Sequence, residues 1–200
     1  MKEVIINNKQ YSFPEKWSEI TLQTYKRIVD SAVILTDETS GNIAKTAAIA
    51  AKILDIPIKE LYFTTQTEFN KIIELLVFLN DEIDASSKKN SVEINDVVYS
   101  IKADLEKLTV GEMVSFEIAT QNSNRLVDLI APSLALLLRR EKNEFDADNY
   151  FSFIQQIEEN VDVETATAMS AFFLSGENIY MKKFLQTYLR ETETAEIVAN

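Results

Sequence analysis

The stretch EVIINNKQYSF at residues 3–13 places Val4 and Ile6 on one side of Asn7–Asn8, and Tyr11 and Phe13 on the other. The stretch reads as an apolar run, a turn, and an apolar-and-aromatic run. Asn tolerates the positive φ that a two-residue turn demands, so the stretch predicts a β-hairpin. At an offset of 88 residues the chain reads SVEINDVVYSI (91–101), with Val92, Ile94, Tyr99 and Ile101 flanking Asn95–Asp96. The second stretch predicts a second hairpin in the same register.

The correspondence runs on without a gap. FPEKWSEITLQTYKRI (13–28) lies over IKADLEKLTVGEMVSF (101–116), and six of the 27 positions from residue 3 to residue 29 are identical. Thr21 falls on Thr109, each between apolar neighbours, where a hydroxyl would cap the first free N–H groups of a helix. Ile20 would staple onto Tyr25, and Leu108 onto Met113. Only the second copy offers a full capping box, Thr109 with Glu112. Trp17 and Leu105 share the preceding position, where bulk would anchor the link between hairpin and helix. Trp17, Thr21, Leu105 and Thr109 are therefore the expected structural anchors.

Beyond this helix the offset drops to 81. NIAKTAAIAAKIL (42–54) and LVDLIAPSLALL (126–137) are both apolar helix candidates, as are TEFNKIIELL (67–76) and DNYFSFIQQI (148–157). Phe69, Ile72, Ile73 and Leu76, like Tyr150, Phe153, Ile154 and Ile157, recur at i, i+3, i+4, i+7 and predict one buried helical face in each. VDVETATAMSAFFL (161–174) and SGENIYMKKFLQTYL (175–189) add two C-terminal helices, capped by Asp162 and Ser175. The expected fold is mostly α with two short β-hairpins, an α+β tandem duplication of a hairpin-plus-helices unit. The divisions are 1–88, 89–160, a C-terminal helical pair at 161–190, and a frayed polar tail at 191–200. NDEIDASSKKN (80–90) reads as the polar linker between copies.

Composition narrows function. The 200 residues include no His and no Cys, which removes the commonest general base, thiolate nucleophiles and the usual zinc ligands. The three glycines, Gly41, Gly111 and Gly176, stand too far apart for a phosphate-cradling loop. Glu158–Glu159 and Asp81–Glu82–Asp84 have the residue types of a glycosidase pair, but their context predicts solvated helix ends. No enzyme and no cofactor is expected. The net charge of −12 divides into −4 for residues 1–100 and −8 for 101–200, which disfavours nucleic acid and anionic membrane as partners. The longest apolar stretch, Leu129 to Leu138, is too short to span a bilayer, and the N-terminus lacks a signal-peptide core, so a cytoplasmic protein is expected.

Two clusters stand out. LRREK (138–142) reads as cations at a helix C-terminus, with Arg139, Arg140 and Lys142 offsetting the macrodipole. Tyr180, Phe184 and Tyr188 recur at i, i+4, i+8 beside Lys182 and Lys183, an aromatic face with a charged rim. That face reads either as part of the protein's own core or as a partner-binding helix, and on the second reading these five residues are the candidate partner site.

FPEKWSEITLQTYKRIV (13–29) resembles small structural or tail-assembly proteins of tailed bacteriophages, notably those infecting Bacteroides-like hosts. LIAPSLALLLRR, FDADNYFSFIQQI and ATAMSAFFL are similar to them in rhythm. The resemblance implies a protein that acts by contact, as a virion or tail component or as a tail assembly chaperone. Its partners would be other phage structural or tail proteins, or further copies of itself, in the host cytoplasm or the virion. An acidic helical inhibitor that mimics DNA is the alternative, supported by net charge alone.

Overall fold

The computed structural model describes residues 1–34, 41–86, 89–101, 108–123, 125–140 and 145–174. The architecture is mostly helical with two small antiparallel sheets, as the sequence predicts. The chain divides into two compact units: Met1–Asp84 with Glu158–Glu164, and Ala85–Ile157 with the chain from Thr165 onward.

In the first unit β1 (Lys2–Ile6) pairs with β2 (Lys9–Phe13), Ile6 opposite Lys9 and Val4 opposite Tyr11. Asn7 and Asn8 take φ of 49° and 63°, the mirror-image turn that matches the twist of the strands. Val4, Ile6 and Phe13 are buried while Glu3 and Ile5 face out, so one sheet face meets the core. A single 3-10 turn (Trp17–Glu19) leads into α1 (Leu22–Ile34), where the Thr21 hydroxyl accepts from the Thr24 N–H at 3.2 Å. Trp17 is the expected anchor: buried, edge-on to Tyr25 and Phe78, its indole N–H donates to the Asp81 carbonyl at 2.8 Å. Then come α2 (Asn42–Ile53), the one-turn α3 (Ile58–Leu61) and α4 (Gln66–Leu75), which continues as a 3-10 turn through Leu76–Asn80. Thr65 and Glu68 close a capping box at the start of α4. The buried face predicted around α4 holds at Ile72 and Leu76 but not at Ile73, which is 42% exposed. One residue of an i, i+3, i+4, i+7 set lies at the edge of the stripe, and here that edge is wet.

Residues 158–164 complete this unit. The Leu22 N–H donates to the Val161 carbonyl and the Val163 N–H to the Ile20 carbonyl, both at 2.9 Å. Thr21 and Asp162 form an antiparallel bridge. Lys26 holds Glu158 at 2.6 Å with both side chains mostly covered, so Glu158 is not the solvated helix end that its context predicts. A cation on the facing helix makes the difference.

The second unit repeats the opening. β3 (Ser91–Ile94) pairs with β4 (Val97–Ile101), Ile94 opposite Val97 and Val92 opposite Tyr99, the register of the first hairpin shifted by 88. Asn95 and Asp96 repeat the positive φ, at 52° and 62°. α5 (Val110–Thr120) starts one residue after Thr109, as α1 does after Thr21, and Thr109 and Glu112 form the expected capping box. Leu105 lies outside the described residues. α6 (Leu126–Leu137) is buried along nearly its whole length, and α7 (Tyr150–Asn160) and α8 (Val163–Leu174) follow.

Between α6 and α7 the structure departs from the sequence reading. Arg139 and Arg140 do not continue the helix; they belong to β5 (Leu138–Arg140), a third strand on β4 with Tyr99 opposite Arg140 and Ile101 opposite Leu138. From there the Arg139 guanidinium still reaches the Ala135 carbonyl in the last turn of α6 at 3.4 Å. The open edge of β4 offers main-chain partners, and Leu138 turns extended to reach them. Lys142 lies outside the described residues.

Candidate functional site

α5 is a short apolar helix, VGEMVSFEIAT, and its sequence alone does not say which side is inside. The structure buries Glu112, Phe116 and Thr120, one stripe at i, i+4, i+8. Phe116 packs against Leu136 and Leu137, with Ile101 and Leu108 partly buried beside it. The Thr120 hydroxyl donates to the Phe116 carbonyl at 2.9 Å, so its polarity is spent within the helix.

Glu112 is 1% exposed, and a carboxylate so placed needs a cation. Arg139 supplies it in a short hydrogen-bonded ion pair. The same guanidinium donates to the Leu138 carbonyl at 2.7 Å and sits 5.2 Å above the Phe145 ring. β5 thus fixes α5 in rotation: Glu112 cannot leave Arg139 without stranding a buried charge. Glu112 also accepts from the Thr109 N–H, which ties the rotation to the cap.

With that side locked in, the opposite side looks out. Val110 is 80% exposed, Val114 45% and Ile118 55%, again at i, i+4, i+8. Its buried stripe holds a glutamate and a threonine on either side of Phe116, and its exposed side holds three β-branched aliphatic residues beside Glu117. Single exposed apolar residues are ordinary, but an aligned row on one helix is the anatomy of a contact surface. The sequence signal was the run of apolar residues around the whole helix together with Glu112, which the capping pattern explained too completely.

A cleft of about 200 Å³ lies nearby in the same unit, between β4, β5 and the start of α7. Two aromatic pairs line it, Tyr99 with Phe153 at 4.7 Å between ring centres and Phe145 with Tyr150 at 5.4 Å. The Tyr150 hydroxyl donates to the Pro132 carbonyl at 2.9 Å within the core. Burial pushes its ionisation far above the ordinary tyrosine range, although the Arg139 charge pulls the other way.

Of the residues that the sequence singled out, Trp17, Thr21 and Thr109 occupy the anchor positions expected of them. Tyr180, Lys182, Lys183, Phe184 and Tyr188 lie outside the described residues. Among the described residues no helix is long and apolar enough to cross a membrane, and no group of three or more His, Cys, Asp or Glu could hold a metal ion. No protein-family model, no curated protein and no solved structure matches the chain.

Proposed function

We propose that this protein works by binding other proteins, without catalysis, and that the outward face of α5 is one of its contact surfaces. The observation that carries this reading is the outward row of α5: Val110, Val114 and Ile118 are presented to solvent by a helix that turns Glu112 and Thr120 inward. Folding gains nothing from that arrangement, whereas a partner that covered the row would bury aliphatic surface at about 25 cal/mol per Å². The resemblance of residues 13–29 to small phage proteins supplies the setting, bacteriophage morphogenesis, with virion or tail proteins as partners.

The experiment is a double substitution, Val114→Asp with Ile118→Asp, in the full chain. Two exposed sites should change the melting temperature by little. Co-purification with virion or tail components should be lost. A double variant that still co-purifies as wild type rejects the α5 surface.

A further inference from the structure

The first unit holds a second vacancy of a different kind. β1 is an edge strand: its sheet has two strands, and among the described residues nothing pairs with its outer side. The two-residue turn makes Ile6 and Lys9 the closing hydrogen-bonded pair, so Ile6, Val4 and Lys2 spend their main-chain groups on β2. Glu3 and Ile5 direct theirs the other way. Natural proteins blunt such an edge with short length, charged side chains, proline, a bulge or a cover; β1 is short and carries Lys2 and Glu3 at one end, but it has no proline or bulge and its register with β2 is unbroken.

That edge opens onto a groove of about 600 Å³ walled by α4. Four consecutive strand residues, Lys2 to Ile5, line one side, which marks the edge of the strand rather than one of its faces. Glu68, Lys71 and Leu75 line the other at i, i+3, i+7, with Glu74 beside them. α4 begins by the turn, where the Glu68 carboxyl is held below its usual range by the Thr65 hydroxyl and, more weakly, by the Asn7 N–H. A strand edge flanked by a helix is the geometry that accepts an added strand.

We infer that the β1–α4 groove binds an extended, weakly basic segment of another protein, which adds to β1 as a third strand. The main-chain groups of Glu3 and Ile5 are matched by another extended backbone and by no helix. β1 is about 17 Å long at 3.3 Å per residue, enough to pair with about five residues. Ile5, 60% exposed, and Leu75 provide apolar seats for alternate side chains. Three glutamates against two lysines in the lining, in a chain of net charge −12, select a segment with basic residues. This site is independent of the α5 surface and is tested without it.

The test is amide chemical-shift mapping of the full chain with a blocked five-residue peptide, acetyl-KVTVK-amide. The control is the same peptide N-methylated at the threonine and both valines, which keeps the charge but blocks pairing along either edge of the peptide. Saturable shifts at Glu3, Ile5 and Lys71 with the plain peptide only are expected. Ile5→Pro removes the outward N–H at a position where an edge strand tolerates proline, and should weaken binding about tenfold, the worth of one hydrogen bond. If Ile5→Pro does not fold, Leu75→Glu serves in its place. Equal shifts with the methylated peptide, no shifts in the groove, or a dimer sealed through β1 would each overturn the proposal.

Discussion

At matched positions of the two hairpin–helix junctions, α1 carries Leu22, Lys26 and Asp30 where α5 carries Val110, Val114 and Ile118. The turns, the strand registers and the capping threonines coincide at the offset of 88, and Ile28 and Phe116 are both buried. The other face is where they part. Leu22 is fully buried and Val110 is 80% exposed. Residues 158–164 lie over the start of α1, through Leu22 to Val161 and Lys26 to Glu158, whereas none of the described residues buries the Val110 row. The sheets diverge too: the second hairpin gains β5, and the first remains two-stranded. One local design therefore reaches two endpoints, according to what later chain is laid against it.

The sharpest way to break this comparison is to attack the ion pair that sets the rotation of α5. Arg139→Met should cost about 3–5 kcal/mol by leaving Glu112 buried without its cation. Lys26→Met, which strips a partly exposed pair from α1, should cost about 1 kcal/mol or less. Urea denaturation of the two variants measures the contrast, and equal costs would remove the distinction between the two helices. Next is the matched pair on the divergent face. Leu22→Ala should cost about 2–5 kcal/mol, while Val110→Ala should stay within about 0.5 kcal/mol. The same urea titrations decide it.

Trp17→Leu tests the anchor of the first junction. It keeps apolar bulk but loses the indole hydrogen bond to Asp81 and two edge-on ring contacts, a cost of about 1–3 kcal/mol with the fold intact by circular dichroism. Tyr150→Phe should cost about 1 kcal/mol near neutral pH for the lost hydrogen bond to Pro132. Its sharper signature is in alkali. The folded-state ionisation of Tyr150 is raised, so its contribution is complete below the unfolded value of about 10 and is lost as pH climbs above it. Stability measured from pH 9 upward should fall less steeply in Tyr150→Phe than in wild type.

The features legible in the sequence were those decided within a few residues. Asn7–Asn8 and Asn95–Asp96 announce the turns because few residues accept positive φ, and Thr109 with Glu112 announces a helix start because both ends of the capping box lie within one turn. What escaped depends on distant chain. β5 forms because β4, some 40 residues earlier, has an open edge, and no property of LRR distinguishes that outcome from a helix end. The orientation of α5 is set by Arg139, 27 residues away, so VGEMVSFEIAT could not declare which side would be wet. The aromatic row at Tyr180, Phe184 and Tyr188, by contrast, reads as a candidate contact surface from its spacing alone. The rows at Val110, Val114 and Ile118 and along the edge of β1 become visible only once their neighbours are in place.

The bridge between Thr21 and Asp162 also has a consequence for the order of events on the ribosome. Residues 20–22 exchange main-chain hydrogen bonds with 161–163, some 140 positions downstream. Closing so long a loop is entropically slow, and translation imposes a further wait. The hairpin and helices of the first unit emerge early, yet Leu22 and Lys26 lack their cover until residue 163 has been synthesised. By then the chain between them, including the hairpin and α5 of the second unit, has already been released. The part of the protein that is made first is thus completed after most of the rest, and nascent chains stalled before residue 158 should carry an open, protease-sensitive α1.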